Sequence, residues 1–512
     1  MNKPIEHVII CNFNTNEGAE VEYIYPPLSK KKRTKKMKVW LEKFSEFCLP
    51  TGCHQSESGF LFFNVMSPSE SNSSEREVFY CVSCYRMAEL TDQMKKNQSK
   101  STSKESEELN QNNELEKEKK KEKTKKHKGK KKKNKKQTQV PVVQKAVAVV
   151  SRLPLYGTIR EKLSIITQAF FEQENFQDKE IIHNIYSLLN STFVKVVSEE
   201  RVVPLNLSES LHLTSSPRKL MGKIGNDALT LLKMILLEKK IIIYSHSPEE
   251  VSDMIATLFS LLPFFTLSHL PSRFRDLILD SFRQRREKQK TEIEEENTTT
   301  EEYEKWKIYP SDFGLPLEII NENTFFNPYS PNFQIHRLLN MKKMKGFCVG
   351  TSDPIYLSRS QSLGVDIIAD LNQKNDIFVY IAKDLKRAMP LTKHEKRFLQ
   401  SINSIAFSKS YKPGKWLGSD DWVRNQFTIY FERLILDLYR YSNVLKTKNI
   451  SSFELKNADK FNKWWVYLWS TTNNFQKLRK ENIRNKLKNS LFLYKRNQYN
   501  IFSENLNKLA LL

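Results

Sequence analysis

Cysteine and histidine side chains that could hold a metal or attack a substrate occur in two stretches near the start of the chain. Cys48, Cys53 and His54 form the first stretch, and Cys81 and Cys84 form the second. Sulfur and nitrogen ligands at such spacings could form a structural zinc site, which needs a turn between its paired cysteines. Cys81 and Cys84 instead lie in a strand-like run, where residues three apart point to opposite faces. We therefore expect ordinary structural cysteines and no metal or other cofactor.

A nucleophilic active site and a phosphate-binding loop have no more support in the sequence than a zinc site. Cys53 and His54 are sequence neighbours, and adjacency alone does not make a nucleophile and its base. Gly346 and Gly350 are an isolated pair, more typical of a strand turn than of a phosphate loop. The sequence contains no Gly-x-Ser-x-Gly, His-Glu-x-x-His or Walker-type motif. We expect a protein that carries out no bond chemistry.

Much of the formal charge of +24 comes from one lysine-rich segment. Between Glu114 and Lys136 there are 14 Lys and 4 Glu, so 24 − 10 leaves +14 for the other residues. A solvated spacer is the favoured interpretation, and contact of an anionic membrane surface from Lys117 to Lys136 is the second. Nucleic-acid binding is the third and is not expected, because no aromatic residues are interleaved for base stacking.

Neither a secretory signal nor a membrane span is evident in the sequence. The longest apolar candidate, residues 229–244, is interrupted by Lys233 and by Glu238, Lys239 and Lys240. A span needs about 20 mostly apolar residues. We expect a cytoplasmic protein whose contact with Golgi, endosomal or vesicle membranes is peripheral.

The order of apolar patterns predicts three regions of an α/β protein. Residues 1–200 form a sheet lobe with a disordered insert at 91–139, since strand-like runs flank that polar segment. Residues 201–390 form a central α/β lobe with a polar insert at 284–307 around a buried strand at 241–244. Residues 391–512 are helical.

Several finer expectations can be tested against a structure. On strand 19–25, alternation places Val21, Tyr23 and Tyr25 on one side. Two helices should bury the sets Tyr156, Ile159, Leu163, Ile166, Phe170 and Ile181, Ile182, Ile185, Leu188, Leu189. Capping boxes are predicted at Ser247 and at Thr392. Long helices should run from Ser419 to about Tyr439 and over 453–478, with Trp465 and Trp469 on one side and Trp464 off that stripe.

The order of motifs along the chain resembles the Avl-nine family of the DENN superfamily. The N-terminal motifs are His7-Val8-Ile9-Ile10, Val21-Glu22-Tyr23, Tyr25-Pro26-Pro27-Leu28, Leu49-Pro50 with Gly52 and His54, Phe79-Tyr80-Cys81-Val82-Ser83-Cys84-Tyr85-Arg86, Val143-Gln144-Lys145 and Ser151-Arg152-Leu153-Pro154-Leu155-Tyr156-Gly157. The later motifs are Leu231-Leu232-Lys233-Met234-Ile235-Leu236-Leu237-Glu238-Lys239-Lys240-Ile241, Asp312-Phe313-Gly314-Leu315-Pro316-Leu317, Gly346-Phe347-Cys348-Val349-Gly350-Thr351 and Asp420-Asp421-Trp422-Val423-Arg424-Asn425-Gln426-Phe427. Each is weak alone, but their collinear order is specific. The lysine-rich insert departs from the family pattern, and residues 264–306 are hard to match.

The resemblance implies a longin-like N-terminal lobe, a three-layer α/β central lobe and a helical C-terminal region. It also implies a role in late secretory or endosomal transport, and many DENN proteins are guanine nucleotide exchange factors for Rab-type GTPases. A Rab- or Arf-type small GTPase is therefore the expected partner. A scaffold that binds a GTPase or coat components without exchange remains the alternative.

A groove between the first two lobes is the expected contact surface for a GTPase. We predict that it is lined by Ser151, Arg152, Leu153, Pro154, Tyr156, Glu238, Lys239 and Lys240. Core packing is the competing interpretation of Leu153 and Pro154.

Overall fold

A computed structural model describes most of the predicted folded regions of the chain. The residues it describes are 4–14, 18–27, 35–50, 57–66, 78–89, 142–152, 155–173, 176, 178–198, 216–262, 324–359, 363–374, 376–409, 417–440, 462–473 and 475–476. The predicted inserts at 91–139 and 284–307 lie outside these residues, as do Cys53, His54, Leu153 and Pro154.

Ten strands and eleven helices make up the described part. The strands are β1 (Ile5–Asn14), β2 (Gly18–Tyr25), β3 (Ser58–Met66), β4 (Val78–Glu89), β5 (Val142–Ser151), β6 (Lys240–Tyr244), β7 (Thr324–Asn327), β8 (Gly346–Thr351), β9 (Ile367–Asp370) and β10 (Phe378–Ile381). The helices are α1 (Lys35–Cys48), α2 (Tyr156–Glu172), α3 (Glu180–Ser198), α4 (Pro217–Ile224), α5 (Asp227–Leu236), α6 (Pro248–Ser260), α7 (Asn332–Asn340), α8 (Ile355–Ser358), α9 (Lys393–Ala406), α10 (Asp420–Arg440) and α11 (Lys463–Ser470). None of the helices in this part of the chain is long and apolar enough to cross a bilayer.

The first sheet is antiparallel, with strand order β2-β1-β5-β4-β3. β4 and β5, which flank the predicted lysine-rich insert, pair from Tyr80 opposite Ser151 to Glu89 opposite Val142. The insert therefore leaves and re-enters the sheet between neighbouring strands. α1 packs on one face of this sheet, and α2 and α3 pack on the other. The domain boundaries drawn from the sequence stay predictions.

The second sheet has strand order β10-β9-β6-β8-β7, and all its pairs are parallel except that of β9 with β10. β6 is central, as expected for its apolar run. Ile241 and Ile243 face one core, and Ile242 faces another that includes residues of α7 and α8. Helices thus cover both faces, and the predicted α/β class with a three-layer central lobe is confirmed.

One apolar core joins the two sheets and the last helices. Its members include Phe63 in β3, Ile241 in β6, Phe427 in α10 and Trp465 in α11. A second core lies between the first sheet and α2 and α3, and Ala256 of α6 packs against it. The second sheet and the C-terminal helices therefore bury apolar surface of the first sheet.

Two of the predicted burial patterns are wrong. Val21 packs in the core shared by the sheets, whereas Tyr23 and Tyr25 pack in the core under α2 and α3. β2 has a bulge opposite the step from Ile10 to Cys11 of β1. The extra residue in β2 breaks the two-residue period of the strand and moves Val21 to the other face of the sheet. Leu188, predicted to be buried, is 49% exposed, since the inward face of α3 is completed by Tyr186.

Of the two predicted capping boxes, the one at Thr392 is confirmed and the one at Ser247 is wrong. Thr392 and Glu395 form the predicted capping box at the start of α9. Ser247 accepts a bond from the backbone N–H of Glu250, while the Glu250 carboxylate accepts a bond from Ser245 Oγ instead. The helix predicted over 453–478 begins at Lys463, where Asn462 caps it, and ends at Ser470, well before residue 478; residues 441–461 lie outside the described part.

Candidate functional site at the junction of the two sheets

β3 is an edge strand of the first sheet, and the second lobe satisfies its outward N–H groups. Edge strands present unpaired N–H groups at alternate residues. Phe60 N donates to Glu249 Oε1 at 3.2 Å, and Phe62 N donates to Ser252 Oγ at 3.2 Å. Asn64 N donates to Asn327 Oδ1 at 2.7 Å. Two side chains of α6 and one of β7 therefore take the place of a sixth strand.

At this junction, the side chains of Asn64 and Asn327 each hydrogen-bond the backbone of the strand opposite. Asn327 Nδ2 donates to the Asn64 carbonyl oxygen at 3.1 Å and to Gln334 Oε1 at 2.8 Å. Asn64 Nδ2 donates to the Phe326 carbonyl oxygen at 2.9 Å. Both asparagines are buried, and the Tyr156 hydroxyl donates to Asn64 Oδ1. The Asn327 amide thus pairs with one residue of β3 through both N–H and C=O, as a neighbouring strand would.

The pKa values of three carboxylates of α6 are shifted by their surroundings at the junction. Burial raises the pKa of Glu249, although the Phe60 N–H bond opposes this. Burial likewise raises the pKa of Asp253, against the attraction of Lys219 at 3.4 Å. Burial also acts to raise the pKa of Glu250, but hydrogen bonds from Lys223 and Ser245 outweigh it and the pKa falls. Glu249 and Asp253 are thus held where their charged forms are disfavoured.

Of the first group of predicted site residues, Tyr156 lies at this junction, whereas Ser151 lies two strands from Asn64, across β4. Ser151 is fully buried, with Oγ 3.4 Å from the Pro4 carbonyl oxygen. Arg152 pairs with Glu6 at 2.7 Å, keeps 15% of its side chain exposed and lies 5.8 Å from the Phe79 ring. Tyr156 is buried at the junction itself. Of these three, Arg152 has the largest side-chain surface exposed to solvent.

The second group lies elsewhere on the central sheet. Glu238 has a φ of 54°, and its Oε2 accepts a bond from Asn473 N at 3.2 Å. Lys239 and Lys240 are half-buried at the amino end of β6. Across β8, Lys240 is level with Phe325, so it lies two strand spacings and two residue steps, roughly 12 Å, from Asn327. The structure brings Tyr156, but not these lysines, to the contact between the sheets.

The two glycines of the Gly346–Thr351 strand let backbone approach it closely, that of Glu238 at one end and that of Pro328 at the other. A Cβ at position 346 would lie 2.1 Å from the Glu238 carbonyl oxygen, and one at 350 would lie 2.2 Å from that of Pro328. Both glycines therefore sit inside β8 where backbone approaches closely, and the expectation of a strand turn was wrong.

The cysteines behave as the strand pattern predicts. Cys81 packs in the core shared by the sheets and Cys84 in the core under α2 and α3, so they point to opposite faces. Burial raises the pKa of the Cys81 thiol well above its ordinary value. Within the described ranges, no group of three or more His, Cys, Asp or Glu side chains could hold a metal ion.

A buried ion pair that the sequence analysis missed ties the central lobe to the C-terminal helices. Lys233 Nζ lies 2.8 Å from Glu395 Oε1, and both side chains are almost fully buried. Tyr430 donates to the same carboxylate at 2.9 Å, and Trp465 Nε1 donates to the Lys233 carbonyl oxygen at 3.0 Å. Burial lowers the pKa of Lys233 despite the neighbouring carboxylate. The lone lysine in the apolar run of α5 was the available signal.

The C-terminal motif around Asp420 is also explained by contacts between elements. Asp420 Oδ1 accepts bonds from Ser216 Oγ and Arg218 N, both at 2.9 Å. The Arg218 guanidinium donates from Nε and Nη2 to the Ala406 carbonyl oxygen, at 3.1 and 2.8 Å. Arg424 Nε donates to Ser260 Oγ at 3.4 Å. These bonds hold α10 and α9 against α4 and α6.

Comparison with known proteins places this architecture in a family. The family model described as "Transport protein Avl9" matches residues 5–105 and 118–437, which include both sheets and α1 to α9. The chain belongs to the Avl9 family. Among its relatives, the "Late secretory pathway protein AVL9" of Saccharomyces cerevisiae is 26% identical over 509 residues, which is 91% of this chain. The "Late secretory pathway protein avl9" of Schizosaccharomyces pombe is 24% identical over 441 residues.

The matched shares differ between the two yeast proteins. The alignment with the Saccharomyces protein covers 57% of that protein. The alignment with the Schizosaccharomyces protein covers 86% of this chain and 77% of that protein. This chain therefore spans little more than half the length of its budding-yeast relative. The family match includes Asn64, Tyr156, Lys233, Asn327 and Glu395, so the junction and the buried ion pair both lie within the Avl9 region.

Proposed function

We propose that this chain is a late secretory pathway transport factor that acts on a small GTPase of the Rab or Arf type by promoting nucleotide release. The observation that carries the proposal is the Avl9 match over both lobes, together with the late secretory pathway named for the two yeast relatives. We also propose that the two lobes and the helices after them are the three DENN modules. Peripheral association with Golgi, endosomal or vesicle membranes belongs to the same proposal.

The fixed geometry of the two lobes supports this mechanism. An exchange factor makes no covalent bond; it binds the GTPase more tightly without nucleotide than with it. The difference in affinity sets how far the GTPase is shifted to the open state. Such discrimination requires a rigid binding surface, and the Asn64–Asn327 bonds and the shared core hold the two lobes in direct contact.

We propose that the cationic members of the predicted set, which are partly exposed, contact the GTPase. These are Arg152 at the end of β5, and Lys239 and Lys240 at the start of β6. The remaining predicted residues support them: Ser151, Leu153, Pro154, Tyr156 and Glu238. The cationic side chains would bind acidic groups of the partner and contribute mainly to association rate.

A nucleotide-release assay tests the proposal directly. The full chain is added to a panel of Rab and Arf proteins loaded with fluorescent GDP, and release is followed with time. We expect faster release from one member, and the variant Lys239→Glu/Lys240→Glu should slow it at least tenfold. Lys396→Glu/Arg397→Glu, a matched charge reversal on the exposed face of α9, is the control and should leave it unchanged.

A scaffold is the second candidate, because the names of the relatives state a pathway and not an exchange activity. Stable binding of a GTPase or coat subunit that is unaffected by added nucleotide, with no acceleration of release anywhere in the panel, would favour it. An affinity that falls when nucleotide is added would favour exchange.

A further inference from the structure

Helix α11 presents two aromatic side chains on its outer face, although its inner face is well packed. Trp465 and Trp469 are 1% exposed and stack with ring centroids 5.9 Å apart. Trp464 and Tyr467, three residues apart on the other side, are 40% and 41% exposed. Surface Trp and Tyr at this spacing form one stripe, because residues three apart share a helix face.

Cations surround this stripe at both ends of the helix. At the first end, the Arg387 guanidinium lies 5.0 Å from the centre of the Trp464 ring. Asn462 holds this segment in place, since its amide donates to the carbonyl oxygens of Arg387 and Pro390 at 3.0 Å. Lys383 and Lys386 are exposed beside Arg387.

The second cluster lies at the far end of the helix. Lys345 Nζ donates to Asn473 Oδ1 at 3.0 Å, which places the turn before β8 against the residues that follow α11. Lys342 and Lys343 are exposed in that turn. The stretches 342–345 and 383–387 together carry six cations and one carboxylate, Asp384.

We propose that the outer face of α11 and its two flanking basic clusters form a docking surface for an anionic lipid bilayer. The eight residues of α11 span about 12 Å of helix between the two clusters. Cations spread over that length suit an extended layer of headgroups, whereas a compact anion would need them to converge. Trp and Tyr rings between such cations are the side chains enriched at the headgroup level of membranes.

This surface is distinct from the lysine-rich segment and does not rest on exchange activity. Its cations are held by folded elements around two aromatic side chains, so attraction to headgroups and burial of rings act together. The electrostatic part should weaken with salt, and the aromatic part should not.

Vesicle sedimentation tests the proposal with the full chain and phosphatidylcholine vesicles with or without phosphatidylserine. We expect partition onto the phosphatidylserine vesicles. Each cation near such a surface contributes about fivefold to binding, so Lys386→Glu/Arg387→Glu should reduce partition by more than about tenfold at low salt. Trp464→Ser/Tyr467→Ser should reduce it about tenfold at low and high salt alike.

Controls of the same chemistry lie on other elements. Lys396→Glu/Arg397→Glu on α9 and Ile165→Ser on α2, where Ile165 is 71% exposed, should partition within about twofold of the parent chain. All substituted side chains are exposed, so each variant should unfold thermally like the parent.

Three results would overturn the proposal. One is a partition of the parent chain that does not depend on phosphatidylserine. Another is that both α11 variants bind the vesicles like the parent chain, whereas a variant with glutamine at every lysine from Lys117 to Lys136 does not bind them. The third is loss of GTPase binding, with vesicle binding retained, in the α11 variants. Nucleotide release measured without vesicles separates this test from that of the exchange proposal, because the α11 variants should leave release unchanged.

Discussion

At the scale of single residues, Asn327 is the side chain that satisfies the most backbone groups at the junction. Its amide satisfies both the N–H and the C=O of Asn64 on an edge strand. Leu of similar volume fills the space but makes neither bond, and each buried unsatisfied group costs about 1–3 kcal/mol. We therefore expect Asn327→Leu to lower the free energy of unfolding by about 3 kcal/mol, measured by urea denaturation. Asn184→Leu, on the exposed face of α3, should change it by less than about 0.5 kcal/mol, and equal effects would contradict the role of Asn327.

The Lys233–Glu395 pair gives a second prediction at this scale. Removal of one partner leaves a buried charge, which costs about 3–5 kcal/mol. Lys233→Met and Glu395→Gln should each destabilise strongly, and the double variant should lose much less than the sum. A double-mutant cycle by chemical denaturation measures this coupling. Additivity to within about 0.5 kcal/mol would show that the pair does not couple.

Glu22 makes stability depend on pH. Burial raises its pKa, but Lys145 and Lys179 together outweigh this and hold the pKa below the ordinary value of 4.5. A lowered folded-state pKa means that this stabilisation is full above 4.5 and is lost as the pH falls through the folded-state value. We expect Glu22→Gln to lower Tm at pH 7, and the difference should vanish in acid. Glu20→Gln, whose amide can still accept the bond from Asn12, should show no such trend.

At the scale of elements, two adjacent tryptophans separate packing from exposure in α11. Trp465 is 1% exposed and bonded to the Lys233 carbonyl oxygen, whereas Trp464 is 40% exposed. Trp465→Ala should cost about 3–5 kcal/mol because it leaves a cavity in the shared core. Trp464→Ala should cost about 1 kcal/mol or less. Thermal unfolding of both variants checks this, and similar losses would mean that α11 is not docked as described.

Elements that the sequence predicted well have strong local causes. β6 is a run of apolar residues and α9 starts with a complete capping box, so each can be identified without knowledge of its neighbours. Val21 and Leu188 were misplaced because the bulge in β2 and the choice of Tyr186 over Leu188 for the inward face of α3 depend on contacts with other elements.

At the scale of the whole molecule, the shared core predicts that both lobes unfold together. Leu61, Phe63 and Val65 of β3 bury their side chains in the same core as residues of α6 and α10. Loss of either lobe would expose this surface, so neither should open alone. We expect native-state hydrogen exchange to give equal opening free energies for β5 and β6. In the Asn327→Leu variant the opening free energies of β5 and β6 should differ. If they stay equal, the shared core alone couples the two lobes.

The sequence by itself determined the fold class, most elements, the buried cysteines and the resemblance to the Avl-nine family. These follow from local periodicity, caps and ordered motifs, which need no knowledge of distant contacts. Tertiary structure decided that Asn64 meets Asn327, that Lys233 meets Glu395 and that Lys239 and Lys240 lie away from the sheet junction. It also decided that Trp464 lies between two basic clusters. Such pairs are separated by up to 263 residues, and only the packing of whole elements against each other brings them together.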